Sequence, residues 1–202
     1  MSKRLVAIAA LGLLIGAISG VVLMPEVRHR LGSLGGTSTP GKVQVGGPFE
    51  LVDHHGKTRT EKDFAGRFML VFFGFTSCPD ICPSGLQVIS AALDQLGPKA
   101  DRITALFVSV DPARDTPAKL ADYLSSFGGR ILGLTGSEEA VAAAVKAYRV
   151  YAKKVVDPNR PGEYTYDHTS IIYIMDKKGE YVGHASHATG LDKLVAQLER
   201  VL

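Results

Sequence analysis

The length, composition and charge of the chain exclude several classes of protein. Its 202 residues are 46% hydrophobic and 21% charged, which suffices for one packed domain with a short appendage and excludes an intrinsically disordered chain. The net charge of +3 comes from 23 basic and 20 acidic residues without long runs of either sign, so we expect no nucleic acid among its partners.

Residues 5–24 form an uncharged, apolar segment of membrane-spanning length. As a helix rising about 1.5 Å per residue, the segment spans about 30 Å, the thickness of a bilayer's hydrocarbon core. The alternative is a cleaved signal peptide, because Lys3 and Arg4 precede the segment and residues 17–19 resemble a cleavage site. The apolar run continues past that site, which favours a transmembrane helix after a short N-terminal flank of residues 1–4.

Residues 25–42 are predicted to form a flexible tether, and residues 43–202 are predicted to form the folded domain. The stretch 32–47 is rich in Gly, Ser and Thr and carries almost no large apolar side chains. This composition favours a flexible linker over a packed element.

In the domain, apolar β-prone runs alternate with amphipathic helical segments. Strands are predicted at 68–75 and 103–110, and a β-hairpin at 171–175 and 181–184. Four helices are predicted from their apolar stripes. Gly97-Pro98 ends the first helix. The other three begin at Thr116-Pro117, at Ser137 and at a capping box of Thr189 and Asp192. With a further strand between the second and third helices, this order predicts a three-layer α/β sandwich.

The two cysteines, Cys78 and Cys82, lie four positions apart in the sequence CPDICP. They directly follow the predicted strand 68–75 and lead into the first helix, so they lie at the carboxyl end of a strand, where open α/β sheets bind ligands. A helix N-terminus stabilises negative charge and lowers the pKa of a nearby thiol. We therefore predict that both thiols are reactive.

Three interpretations of the cysteine pair follow from the spacing. A structural disulfide is sterically allowed, but closing so short a loop contributes only about 2 kcal/mol in the chain-entropy model. A redox dithiol is the second interpretation, although its spacer has three residues where typical thioredoxin dithiols have two. That difference favours the third, a metal site, in which two thiolates select Cu(I) or Zn(II) and require another ligand.

The candidates for the additional ligand are the six histidines. Five occupy tether, turn or strand-to-loop positions that need no metal: His29, His54, His55, His184 and His187. His168 differs because it immediately precedes the predicted strand 171–175. If that strand runs antiparallel to strand 68–75, His168 lies beside the cysteines, either as a ligand or as a hydrogen-bonding residue.

Three segments together resemble the SCO/SenC family of copper-binding assembly factors, and they are GFTSCPDICP (74–83), VSVDPARDTP (108–117) and YTYDHTSIIYIMD (164–176). The likeness covers about residues 43–202 and implies a thioredoxin-like fold. Transferred to this sequence, the family's copper ligands are Cys78, Cys82 and His168. The resemblance implies copper as the bound ion, with Cu(I) favoured and Cu(II) as the alternative. The motif from Asp111 to Pro117 is expected to form a loop and a helix N-cap without a catalytic role.

The resemblance also implies a function. We expect a membrane-anchored copper chaperone that takes copper from an upstream donor and delivers it to the binuclear copper site in subunit II of cytochrome c oxidase, or to a related oxidase. The alternative is a thiol-disulfide reductase that keeps the oxidase cysteines reduced, with Cys78 and Cys82 as its redox dithiol. Residues 168–175 lack the proline of thioredoxin-type oxidoreductases, which disfavours that alternative. A peroxidase of the related peroxiredoxin fold is a third hypothesis.

The expected compartment follows from this function and from the start of the sequence. The apolar segment begins at residue 5, and no Arg- and Ser-rich transit peptide stands before it. We therefore expect a single-pass protein of the bacterial inner membrane with its domain in the periplasm.

Overall fold

The computed structural model describes residues 44–202. The predicted N-terminal flank, the transmembrane helix at 5–24 and the tether at 25–42 lie outside these residues. Within the described part of the chain, no helix is both long enough and apolar enough to cross a membrane.

The described residues form nine β-strands, four α-helices and two short 3₁₀ segments. The strands are β1 (Glu50–Asp53), β2 (Thr58–Thr60), β3 (Phe68–Gly74), β4 (Ile103–Ser109), β5 (Ile131–Thr135), β6 (Ala152–Val156), β7 (Tyr164–His168), β8 (Ile171–Met175) and β9 (Tyr181–Ser186). The helices are α1 (Ile81–Leu96), α2 (Pro117–Ser125), α3 (Glu138–Ala147) and α4 (Leu191–Val201), and the 3₁₀ segments are Glu61–Phe64 and Gly97–Arg102.

Seven strands form one mixed sheet in the order β2-β1-β5-β4-β3-β8-β9. The central strands β3, β4 and β5 are parallel. Every residue of β3 is buried, as expected for a strand covered on both faces. Strand β8 runs antiparallel to β3, with Phe72 opposite Ile172, which confirms the orientation on which the predicted position of His168 depended.

Helices cover both faces of this sheet and separate the core into two apolar clusters. On one face, Leu86 of α1, Leu120 of α2 and Leu194 of α4 pack into one cluster. On the other face, Val141 of α3 and Tyr148 pack into the second. The predicted three-layer α/β sandwich is therefore confirmed.

The predicted helix starts are confirmed for α2 and α3 and wrong in detail for α4. Thr116 and Ser137 cap α2 and α3 by accepting hydrogen bonds from backbone N–H groups three residues later. At α4 the N-cap residue is Gly190, and no side chain caps the helix. The Thr189 hydroxyl instead accepts a hydrogen bond from the backbone N–H of Ser186 at 3.0 Å, so it closes the turn after β9.

Two hairpins were not predicted from the sequence. Strands β1 and β2 form one at the edge of the large sheet. Strands β6 and β7 form the other, a separate two-stranded sheet whose last residue is His168. The β6–β7 hairpin escaped prediction because its residues are mixed polar and aromatic and mostly exposed or half-buried, so it lacks the apolar run of a core strand.

Candidate metal centre

The two cysteines lie at the junction between β3 and α1. Cys78 precedes the helix, whose N-cap residue is Asp80, and Cys82 lies in the first helical turn. The backbone N–H of Cys82 points at the Cys78 Sγ at 3.3 Å. Cys82 is fully buried and Cys78 is half-buried, and no disulfide joins them. The helix N-terminus therefore holds one accessible and one buried thiol side by side.

Gly74, the last residue of β3, makes room for the buried thiol. A Cβ atom at this position would lie 2.7 Å from the Cys82 Sγ and 2.7 Å from a ring carbon of Phe107, closer than packed atoms approach. The absence of a side chain at residue 74 thus allows Cys82 to sit against the end of the central strand.

The pKa values of the two thiols are shifted in opposite directions. A hydrogen bond from the Cys82 thiol lowers the pKa of Cys78 to about 4, with smaller contributions from His168 and from the backbone N–H groups of Cys82 and Asp80. The same interaction, together with burial, raises the pKa of Cys82. In the metal-free protein Cys78 is therefore the more acidic thiol of the pair, and the reactivity of both thiols stays a prediction. The pair shares one proton, which a metal ion bound to both sulfurs must displace.

His168 turns one ring nitrogen towards the thiols. Its Nδ1 lies 3.1 Å from the carbonyl oxygen of Thr169, so Nδ1 donates to this carbonyl and Nε2 is the ring nitrogen that faces the thiols. The Nε2 atom lies 3.7 Å from the Cys82 Sγ. The ring also packs edge-to-face on Phe75, with centroids 5.7 Å apart. Hydrogen bonding and packing therefore orient the imidazole as a ligand.

Ligand atoms of Cys78, Cys82 and His168 all lie within 4.8 Å of one another. In zinc sites, bonds of about 2.3 Å to sulfur and 2.0 Å to nitrogen at 120° would separate the two ligand atoms by about 3.7 Å. The Cys82–His168 distance of 3.7 Å equals this value. The three residues predicted as ligands are therefore brought together within reach of one metal ion.

The other histidines do not join this cluster in the part of the chain that the structure describes. His54 accepts a hydrogen bond from the backbone N–H of Gly133 at 2.8 Å through Nδ1. His184 is hydrogen-bonded to the hydroxyl of Tyr181 on β9. His55 and His187 are not part of the three-residue group, and His29 lies outside the described residues.

The loop before α2 contains a buried carboxylate that fixes the cysteine loop. Asp115 is fully buried and accepts hydrogen bonds from the backbone N–H and the hydroxyl of Thr76, at 3.0 and 2.6 Å, and from the hydroxyl of Ser109 at 2.6 Å. The segment ahead of Cys78 is thereby tied to the end of β4. The sequence motif predicted a loop and an N-cap, both of which the structure confirms, but not this role.

The same loop contacts the β6–β7 hairpin through a second buried carboxylate. Asp111 accepts hydrogen bonds from the Arg114 Nε and from the Tyr164 hydroxyl, the latter at 2.9 Å. Arg114 also donates from Nη1 to the backbone carbonyl of Tyr164 at 3.0 Å, and its guanidinium lies 3.8 Å from the centre of the Tyr164 ring. The only sequence signal for this cluster was the position of the two aspartates directly after a buried strand.

Comparison with known proteins identifies relatives of this chain. Residues 37–202 match the SCO1/SenC family model. Protein sco1 of Schizosaccharomyces pombe is 44% identical over 148 residues, which cover 72% of this chain and 56% of the relative. Protein SenC of Rhodobacter capsulatus is 37% identical over 177 residues, which cover 88% of this chain and 79% of the relative. The chain spans a little over half the length of the two yeast relatives named sco1 and SCO1.

Solved structures extend the comparison to the fold. Bradyrhizobium japonicum ScoI with copper bound is 46% identical with a TM-score of 0.73, and the match covers 78% of this chain and 99% of that one. Yeast Sco1 with copper bound is 40% identical with a TM-score of 0.68, covering 79% and 91%. The domain has the thioredoxin-like α/β fold that the sequence resemblance implied.

Proposed function

The chain belongs to the SCO1/SenC family, and we propose that it binds copper between Cys78, Cys82 and His168 and transfers it to cytochrome c oxidase during assembly. The observation that carries this proposal is the convergence of the three ligand atoms within 4.8 Å. Solved relatives with copper bound share 40 and 46% of their sequence with this chain, which supports copper as the ion.

The chemistry of the donor set also supports copper. Two thiolates and an imidazole form a soft ligand set, which suits Cu(I), with Cu(II) as the alternative state. Cys82 is fully buried, and the site offers three ligand atoms within 4.8 Å of one another. Because copper is the cargo, it must be held tightly against solvent and still leave by exchange onto ligands of an acceptor.

The N-terminal part of the chain suits a delivery role. An apolar helix at 5–24 would anchor the protein in a bacterial inner membrane, and the tether at 25–42 would leave the domain in the periplasm. Such a connection raises the concentration of the domain near a membrane-embedded acceptor. We propose the binuclear copper site of oxidase subunit II as that acceptor, or a related oxidase, and a separate copper protein as the upstream donor.

A thiol-disulfide reductase is a second candidate because of the asymmetry between the thiols. Hydrogen bonding lowers the pKa of the half-buried Cys78 to about 4, so this residue can attack a disulfide as a thiolate. Attack would form a mixed disulfide and release one substrate thiol. The Cys82 thiolate would then displace the second substrate thiol, leaving the substrate reduced and the Cys78–Cys82 pair oxidised.

Copper titration tests the leading proposal. The reduced full-length chain in detergent is titrated with Cu(I) against a competing chelator, and His168→Ala is expected to weaken binding because the site loses its nitrogen ligand. His184→Ala is the matched control, since that histidine lies outside the cluster, and it should bind like the native chain. Unchanged affinity in His168→Ala would refute the three-ligand site.

Trapping of mixed disulfides separates the two candidates. In Cys82→Ser the second displacement is blocked, so a reductase would accumulate a covalent complex between Cys78 and an oxidised subunit II domain. A copper carrier without reductase activity would leave both proteins unlinked on a non-reducing gel. Cys78→Ser, which lacks the attacking thiolate, is the control for either result.

A further inference from the structure

The strand that carries His168 is not part of the large sheet. Strands β6 and β7 pair only with each other, from Ala152 opposite His168 to Val156 opposite Tyr164. Two hydrogen bonds between Tyr151 and Thr169, at 2.9 and 3.0 Å, close the base of this hairpin. A two-stranded hairpin is marginally stable alone, so side chains must hold it against the domain.

One face of β7 provides these side chains. Because successive residues of a strand point to opposite faces, Tyr164, Tyr166 and His168 share one face. The Phe75 ring contacts both Tyr166 and His168, with centroids 5.8 and 5.7 Å away. Tyr164 lies four residues from His168, about 13 Å along the strand, and contacts Arg114 instead. The hairpin thus contacts the domain along one face, through Phe75 and through Arg114, and the Arg114 guanidinium itself lies 5.9 Å from the centre of the Phe75 ring.

The attachment at Tyr164 is polar, charged and partly buried. The Asp111 carboxylate is fully buried, and the Arg114 side chain is 28% exposed. Arg114 holds this carboxylate through Nε and the Tyr164 carbonyl through Nη1, while the Tyr164 hydroxyl donates to the same carboxylate. Charge-assisted bonds of this kind are stronger and more directional than neutral ones. They fix the far end of the hairpin in position and orientation.

We propose that Asp111, Arg114 and Tyr164 form a latch that keeps His168 within reach of the cysteines and thereby sets how tightly copper is held. This inference rests on the proposed copper function. The latch residues do not touch the metal site and are positioning residues that act through His168. Opening the latch withdraws the imidazole, leaves copper on two thiolates, and frees a coordination position for a ligand of the acceptor.

The cysteines are held by side chains other than the latch residues, within the same loop, in which the backbone N–H of Asp115 donates to the Asp111 carbonyl oxygen at 2.9 Å. Their loop is tied down by Asp115 through Thr76, and the Cys82 thiol rests against Gly74. Loss of the latch should therefore weaken copper binding only through the histidine. This restriction separates a latch from a general contribution to folding.

A double-mutant cycle on the full-length chain in detergent tests the latch. Tyr164→Phe removes the hydroxyl donor and is expected to weaken Cu(I) binding by a factor that does not exceed the loss in His168→Ala, because the latch acts only through that ligand. In a His168→Ala background the same substitution should cause no further loss. X-ray absorption of the copper-loaded Tyr164→Phe protein should show a weaker imidazole contribution with both sulfur ligands retained.

Two further variants complete the experiment. Tyr151→Phe also removes a tyrosine hydroxyl beside the hairpin, but that side chain is 52% exposed, and copper affinity should be unchanged. Arg114→Lys keeps the positive charge but cannot donate to Asp111 and Tyr164 in the same fork geometry. Arg114→Lys should therefore weaken Cu(I) binding only when His168 is present. This variant replaces Tyr164→Phe in the experiment if Tyr164→Phe does not fold.

The outcomes distinguish failure of the latch from failure of the copper site. Native affinity in both latch variants, or an equal loss with and without His168, would overturn the latch while leaving the three-ligand site intact. Native affinity in His168→Ala alone would instead refute the ligand set, and the latch with it.

Discussion

The cysteine half and the histidine half of the metal site are held in different ways. Cys78 and Cys82 lie between the buried strand β3 and helix α1, where the core of the domain fixes them. His168 ends a hairpin that pairs with no strand of the large sheet. The difference teaches that the core of the domain holds both sulfur ligands, whereas the nitrogen ligand, just before β8, also depends on the side-chain contacts of an otherwise unpaired hairpin.

Removal of both sulfurs should have the largest effect on this site. A Cys78→Ser, Cys82→Ser protein loses both soft ligands, and His168 alone cannot retain Cu(I). We expect no copper to remain bound after dialysis against a Cu(I) chelator, measured by metal analysis. His168→Ala should retain a fraction of its copper under the same conditions. Equal loss in the two proteins would mean that the two halves contribute alike.

The reactivity of Cys78 should depend on its partner thiol more than on the hairpin. With its pKa lowered to about 4, Cys78 is a thiolate throughout the neutral range, so alkylation by iodoacetamide should be nearly independent of pH between 6 and 8. In Cys82→Ala the main hydrogen bond is lost, the pKa of Cys78 rises towards its ordinary value of 9.0, and the alkylation rate should increase steeply with pH across the neutral range.

The pH dependence of alkylation in Cys82→Ala tests the direction of this pKa shift. Above its raised pKa the Cys82→Ala protein should be alkylated faster than the native protein, because a more basic thiolate is the stronger nucleophile. Below that pKa its rate should fall about tenfold per pH unit as the thiolate is protonated. Rates are measured by mass spectrometry of the modified Cys78 peptide. A flat profile in Cys82→Ala would show that the partner thiol does not set the acidity.

Loss of the buried Asp115 carboxylate should destabilise the loop that precedes the cysteines. Asp115→Ala removes the acceptor that holds the cysteine loop and leaves buried donors of Thr76 and Ser109 unpaired. We expect about 3 kcal/mol less free energy of unfolding, measured by urea denaturation of the metal-free protein. Asp101→Ala, at an exposed position, should change it by less than about 0.5 kcal/mol. A similarly small change in Asp115→Ala would contradict a structural role in the loop.

The smallest expected effect comes from filling the space beside Cys82. Gly74→Ala places a methyl group 2.7 Å from the Cys82 Sγ and from Phe107, and such overpacking costs about 1–3 kcal/mol. The displaced sulfur should also lower Cu(I) affinity. Gly183→Ala on β9, where a Cβ meets open space, is the control for both measurements. Native copper affinity in Gly74→Ala would show that the cysteine half tolerates more movement than the core packing implies.

The sequence predicted those features that depend on local pattern. The apolar runs gave β3, β4, β8 and β9 to within two residues at either end. The antiparallel pairing of β3 with β8 was a hypothesis that the sequence suggested and the structure confirmed. Cys78 and Cys82 were identified from local chemistry. His168 needed both the predicted pairing and the family resemblance, because a single histidine carries no periodic signal.

The features that the sequence did not predict depend on partners far along the chain. Asp115 bonds to Thr76, 39 residues away, and Asp111 bonds to Tyr164, 53 residues away, so neither carboxylate could be recognised as buried. The opposite acidities of the two thiols depend on which sulfur the fold buries. At Thr189 the hydroxyl had two backbone partners within reach, and the turn after β9 prevailed over the helix.

The full burial of Cys82 has a consequence for the proposed transfer of copper to an acceptor. A solvent-borne or acceptor ligand reaches the half-buried Cys78 and the half-buried His168 before it reaches this sulfur. We therefore expect Cys82 to be the last protein atom to release the ion. Copper would then remain bonded to the carrier until new bonds to the acceptor have formed, so that no uncoordinated ion escapes to generate oxidants.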